Sequence, residues 1–221
     1  MSDTIIALQP KQKQLWNLID DHSEDAFNWI GYGGSRGGSK SNGIRQISVR
    51  LMLKYPGIRI LIFRKISENL RKNHIVPFKR EFPEIMEYYN QSKNHVELPN
   101  GSMVVFGYAA NIDDIGKFQG DEYDIIFIDE ATHITQKMIE ELKTCNRSPL
   151  LRGFREKMVL TMNPGNVGHK FIKRIFIDRE YTDTELQYNR YIYLPARVQD
   201  NVIWSIKALY EQGKTVEDYY Y

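Results

Sequence analysis

The stretch Gly31–Ser41, GYGGSRGGSKS, runs glycine-rich into a lysine and a serine. From Gly34 through Ser35, Arg36, Gly37, Gly38 and Ser39 to Lys40 and Ser41, it follows the G-x-x-x-x-G-K-[ST] spacing of a phosphate-binding loop. The one departure is Ser39, where the pattern has glycine. Glycines let backbone N–H groups turn inward with no Cβ in the way. Those groups and the N-terminus of the following helix form a nest for anions. Lys40 is placed to reach the β- and γ-phosphates of a nucleotide, and Ser41 to set its hydroxyl on Mg2+. Ser39 keeps its N–H in the nest if its φ is negative. Arg36 either neutralises charge on the γ-phosphate in the transition state or faces outward. A slack surface linker is the other reading of the loop.

A second stretch narrows the choice. In DIIFIDE an apolar run ends at Asp129 and Glu130. Asp129 at a strand tip can hold Mg2+ through water, and Glu130 can orient and deprotonate an attacking water. Two acids at a helix start also suit the helix dipole, but with a phosphate loop upstream the pair points to nucleotide hydrolysis. Thr161 and Asn163, in TMNP, end another apolar run and either sense the γ-phosphate or form a polar turn before Pro164. Gln12, in LQPKQ, carries an amide that donates and accepts, as adenine N6 and N7 require, or else faces solvent from a helix. His22, His74, His95, His133 and His169 are scattered with no pair at ligand spacing. Each reads as a surface or supporting side chain, and histidine-based metal chemistry is not expected.

These residues need elements to hold them. LQPKQKQLWNLID has helical apolar spacing, and DAFNWIGYG reads as a strand entering the loop. SNGIRQISVRLMLKYPG reads as a helix with Ile44, Ile47 and Leu51 on one face, ended by Pro56 and Gly57. RILIFRK is a buried strand, followed by a helical stretch interrupted at Pro77 and Pro83. HVELPNGSMVVFGYA is a hairpin turning at Asn100-Gly101. YDIIFIDEA, EKMVLTMNPG and LQYNRYIYLPA are further strands, while ITQKMIEELKT and NVIWSIKALYEQG are helices. The alternation predicts an α/β fold with a mainly parallel sheet flanked by helices. In such sheets ligands bind beyond the carboxyl ends of the strands. The loop, Asp129/Glu130 and Thr161/Asn163 all fall at such ends.

The 221 residues suit one large domain, or one domain with an appendage. Cys145 is the sole cysteine, which excludes a disulfide framework and multi-cysteine zinc sites. A net charge of +2 makes the global field weak, so contact with a polyanion must come from a local patch. The N-terminus shows no apolar leader and the chain no 18-residue apolar run, so neither a signal peptide nor a membrane span is expected.

Together GGSRGGSKS, DIIFIDEA and TMNPGNVGHKFIKRIF resemble the large terminase subunit of tailed bacteriophages, with LPNGSMVVF and LPARVQDN similar to its intervening and trailing segments. The resemblance covers nearly the whole chain. It implies a P-loop NTPase of the additional-strand (ASCE) type over 1–175 and a small lid subdomain over 176–221. It implies an ATP-driven motor that pumps double-stranded DNA into a procapsid through the portal. ATP is the substrate and Mg2+ the cofactor. The small terminase subunit and a ring of copies on the portal are partners, with a monomer in isolation and no membrane, in the cytoplasm of the infected bacterial host. By position, Lys40 and Ser41 are the phosphate-loop pair, Arg36 the loop arginine, Asp129 the Mg2+ residue and Glu130 the catalytic glutamate. Thr161 and Asn163 match the coupling motif and Gln12 the adenine-reading glutamine. A neighbour's arginine acting in trans is also implied, with Arg80 the first candidate and Arg152 and Arg155 behind it. The family's C-terminal nuclease domain is not expected in this chain, nor is nuclease activity. Basic Lys170, Lys173 and Arg174 are candidates for DNA phosphates or a solvated charge run. Two other readings stay open: a helicase-like DNA-dependent ATPase, and a nucleotide-binding module without turnover.

Overall fold

The computed structural model describes residues 8–35, 37–148, 153–197 and 200–203. Eight strands among them form one sheet: β1 (Trp29–Gly34), β2 (Arg59–Arg64), β3 (Tyr89–Asn90), β4 (His95–Glu97), β5 (Met103–Tyr108), β6 (Ile125–Ile128), β7 (Lys157–Met162) and β8 (Tyr191–Ala196). Their order is β3-β4-β5-β2-β6-β7-β1-β8. The pairs from β5 to β8 are parallel, while β3–β4 and β4–β5 are antiparallel. The loop-bearing strand β1 and the acid-bearing strand β6 are therefore not neighbours, because β7 is inserted between them. This is the additional-strand arrangement that the resemblance implies.

Helices cover both faces. They are α1 (Pro10–Ile19), α2 (Lys40–Lys54), α3 (Ser67–Leu70), α4 (Val76–Glu81), α5 (Pro83–Met86), α6 (Gln136–Thr144), α7 (His169–Lys173) and α8 (Asp183–Tyr188). Successive strand residues point to opposite faces. Ile60 and Ile62 thus meet Leu15, Ile44, Ile47 and Phe78 on one side. Leu61 and Phe63 share the other core with Ile139, Leu142, Phe171 and Ile175. Burial on both faces is why β6 reads as an unbroken apolar run. Among the described residues no helix is long and apolar enough to cross a membrane.

Two local expectations change. Pro77 does not interrupt its helix: a π turn over Arg71–Ile75 joins α3 to α4 without a break. Proline has no N–H for the carbonyl four residues back, and that carbonyl, Asn73 O, accepts instead from Arg45 Nη1 at 2.5 Å. The last strand starts later than expected. Leu186–Tyr188 belong to α8, whose start is capped reciprocally by Thr182 and Glu185, and the strand begins at Tyr191. It pairs with β1, so the stretch from 191 to 196 is built into the main sheet. The helix expected over NVIWSIKALYEQG lies largely outside the described residues.

Candidate nucleotide-binding site

Parallel register brings the functional residues together. Phe63 pairs with Ile128 and Ile128 with Leu160, so Arg64, Asp129 and Thr161 emerge side by side at the strand tips. From β1 the chain turns sharply into α2. Gly34 has φ +143°, and a Cβ there would lie 2.6 Å from Ala196 O, so only glycine fits. Ser39 departs from the expected negative φ: it sits at φ 55°, ψ 23°, the left-handed conformation that the pattern's glycine adopts freely. For serine that conformation costs about 1–2 kcal/mol. Gln9 Nε2 donates to Ser39 Oγ at 3.2 Å, and Gln12 Nε2 to Ser39 O at 3.2 Å, holding it there.

Lys40 is buried, and its Nζ donates to Ser35 O at 2.5 Å and to Asn163 Oδ1 at 3.0 Å. Burial pushes its pKa down, while Asp129 and Glu130 oppose the shift. Ser41 Oγ donates to Asp129 Oδ2 at 2.9 Å, and Thr161 Oγ1 to Asp129 Oδ1 at 2.5 Å. Thr161 Oγ1 also accepts from Glu130 N at 3.1 Å. Glu130 takes φ 59° and ends 2.6 Å from an Arg64 guanidinium nitrogen. Thr132 Oγ1 donates to Asn163 O at 3.1 Å. Lys40, Ser41, Asp129, Glu130, Thr161 and Asn163 all line one cleft of about 450 Å3, with the backbone of Gly37, Gly38 and Ser39. That is within the roughly 300–1,000 Å3 of small-molecule sites.

Two residues that carried no specific role in the sequence support this cluster. Arg64 Nε lies 3.2 Å from Asp129 Oδ2, and His74 Nε2 lies 2.8 Å from the same oxygen. Burial pushes the Asp129 carboxyl up, but the His74 hydrogen bond, the Arg64 charge and the Thr161 hydroxyl outweigh it and hold it below its ordinary range. Burial pushes His74 down against the pull of Asp129. Its Nε2 lies on Asp129 Oδ2, and its Nδ1 is buried with no hydrogen-bond partner. The only signal for Arg64 in the sequence is a basic residue ending an apolar strand. For His74 there is none, since its neighbour is 55 residues away.

Other expected residues stand apart. Gln12 is buried behind the loop, its Nε2 on Ser39 O and Asn42 Oδ1 and its Oε1 accepting from Gln9 N. Arg80 lines the mouth of this chain's own cleft. Arg155 precedes β7, at the opposite edge of the sheet, where its backbone N–H donates to His22 Nδ1 and its guanidinium to Ser23 O and Glu24 O. Arg36 and Arg152 lie outside the described residues.

The model of one protein family, described as phage terminase large subunit, matches residues 28–220. The chain belongs to the phage terminase large-subunit family. No curated protein matches the sequence. Among solved structures, the large terminase of a thermophilic bacteriophage in complex with ADP aligns at TM-score 0.67 and 15% identity, over 93% of this chain and 49% of that one. The large terminase of the same phage in complex with ATP-gamma-S aligns at TM-score 0.63 and 15% identity over the same shares. The large terminase ATPase domain of Thermus phage P74-26 aligns at 0.53 and 12%, over 93% of both chains. The terminase chain described here spans about half the length of the first two proteins, and its fold is that of the terminase ATPase domain. On this fold Lys173 and Arg174, candidates either for DNA phosphates or for a solvated charge run, are paired within the chain, with Asp178 at 2.5 Å and Glu185 at 2.7 Å.

Proposed function

We propose that this chain is the ATP-hydrolysing motor domain of a DNA-packaging terminase, coupling hydrolysis to movement of double-stranded DNA into a procapsid. The observation that carries the reading is Lys40 and Ser41 converging on Asn163 and Asp129 from three strand tips. A phosphate chain on the loop N–H groups would bring its end to Lys40, with Glu130 on the far side of the cleft to take a proton from water. Ser41 and Asp129 supply hard oxygen donors of the kind Mg2+ takes. Among the described residues no group of three His, Cys, Asp or Glu gathers, which suits an ion held mainly by phosphates and water. Asp129 Oδ2 already accepts from Ser41 and lies against His74 and Arg64, so it fits a contact through water. Mg2+ would neutralise charge on the phosphates. The similarity to ADP- and ATP-gamma-S-bound terminases supports nucleotide as the ligand.

Thr161 and Asn163 are the coupling residues in this reading. Thr161 links Asp129 to the Glu130 backbone, and Asn163 reaches Lys40. Arg36 is the loop arginine and Gln12 reads the base by displacing one of its present partners. Arg80 acts either on this chain's nucleotide or, in a ring on the portal, on a neighbour's. The small subunit and the portal complete the machine in the infected bacterial cytoplasm. The test is Mg2+-dependent ATP hydrolysis against protein concentration, with Glu130→Ala as the blank. Loss of about a hundredfold or more in the blank, with nucleotide binding kept, is expected for a missing general base. Turnover per molecule that rises with concentration places an arginine in trans, and flat turnover places it in cis. Turnover equal to the blank at every concentration would leave a binding module.

A further inference from the structure

A nest of inward N–H groups forms only if the intervening carbonyls turn outward and find donors. In this loop Ser35 O accepts from Lys40 Nζ, and Ser39 O from Gln12 Nε2 and from Gly43 N at 2.9 Å. Gly37 O, at a residue with φ +83°, accepts from Asn201 Nδ2 at 2.7 Å. Asn201 comes from beyond β8 and is 5% exposed. Its orientation is set in turn: Gln9 Nε2 lies 3.4 Å from Asn201 Oδ1, and Gln9 Oε1 accepts from Val202 N at 3.1 Å. The loop also meets the end of β8 directly, Ser35 N donating to Ala196 O at 3.1 Å. The residue before α1, the phosphate loop and the chain leaving the last strand thus form one hydrogen-bonded strap, and Asn201 lines the cleft.

We propose that Asn201 is a positioning residue of the phosphate loop, and that through it the nucleotide state of the loop is felt by the chain as it leaves β8. This rests on the nucleotide reading above. The bond is well placed to carry that signal, because rotation of the Gly37 peptide to meet a phosphate moves the carbonyl that Asn201 holds. Asn201 lies where the sheet ends and the chain continues toward its C-terminal part, so a change at the phosphates has a covalent route out of the core.

The test uses ADP with Mg2+ as the probe, with calorimetry for affinity and amide hydrogen exchange for the segment. Wild type, Lys40→Ala, Asn201→Ala and Asn201→Asp are compared. ADP is expected to slow exchange across 200–203 in wild type and to leave it unchanged in Asn201→Ala. Asn201→Ala should bind ADP about tenfold more weakly, the effect of orphaning one buried carbonyl. Asn201→Asp should bind more weakly still, since a carboxylate cannot donate to Gly37 O and adds negative charge beside the phosphates. Lys40→Ala should bind weakest. If Lys40→Ala loses binding while both Asn201 variants bind as wild type, the positioning role is overturned and the nucleotide reading stands. If Lys40→Ala binds as wild type, the nucleotide reading itself fails. The wild-type arm needs no variant: ADP binding that leaves exchange at 200–203 unchanged overturns the coupling.

Discussion

At the scale of single residues the site is an electrostatic arrangement around one carboxylate. Asp129 is 2% exposed and draws on Ser41, Thr161, His74 and Arg64. Arg64 is the permanent charge among these, and it also reaches Glu130. Removing one partner of a buried pair strands the other. Arg64→Ala should therefore lower unfolding free energy by about 3–5 kcal/mol, measured by urea denaturation, and reduce turnover as well. Arg64→Lys should recover only part of it, since an ammonium cannot span both carboxylates as the planar guanidinium does. An Arg64→Ala protein as stable as wild type would show that the two acids do not need it. Thr161→Val tests a different link. The methyl keeps the volume but removes the donor to Asp129 and the acceptor for Glu130 N, so kcat should fall by about tenfold or more with ADP affinity nearly unchanged.

At the scale of elements, each strand tip carries one component and each helix behind it holds that component still. The segment from α3 to α4 shows how. Its π turn puts His74 under Asp129, and Arg45 of α2 both takes the carbonyl freed by Pro77 and pairs with Glu81 at 2.6 Å. The foot of β7 shows the opposite end of the same strand doing structural work. Lys157 is fully buried, its Nζ donating to Asp21 O at 2.6 Å and Phe27 O at 2.8 Å. Burial pushes its pKa down from 10.5 to about 8. Between those values the unfolded chain keeps a proton that the folded chain has released, so this group's contribution to stability rises with pH across that window. Below pH 8 both states carry the proton, and the charge is held at a cost. The difference in unfolding free energy between wild type and Lys157→Met, measured by denaturation from about pH 7.5 to 10, should shift in favour of wild type as pH rises. A difference constant with pH would show that Lys157 keeps its proton in the fold.

At the scale of the whole molecule, the cleft opens at the carboxyl edge of the sheet, with Arg80 at its mouth and the strap of Asn201 beneath the loop. DNA is the remaining proposed partner, and Lys173 and Arg174 each already have an acidic partner within the chain. Affinity for duplex DNA should still fall linearly with salt on a logarithmic scale, with a slope of about −0.9 per phosphate neutralised. Lys173→Ala should leave that slope unchanged. A slope reduced by about one would place Lys173 on a phosphate.

Local chemistry was legible in the chain because it is written in short spacings. The loop from Gly34 to Ser41, the acids after an apolar run and the alternation of strands with helices each depend on residues close in sequence, so periodicity and steric rules expose them. The hairpin at Asn100-Gly101 was legible for the same reason. Which strand lies beside which was not, because register between parallel strands is set by packing on two faces and not by any local turn. That register puts Arg64 beside Asp129, while the π turn carries His74 beneath it and the chain beyond β8 brings Asn201 to Gly37 across 164 residues. The conformation of Ser39 was likewise decided in three dimensions. A serine is poorly suited to φ 55°, and it is held there by Gln9 and Gln12, which reach it only once α1 has packed against α2.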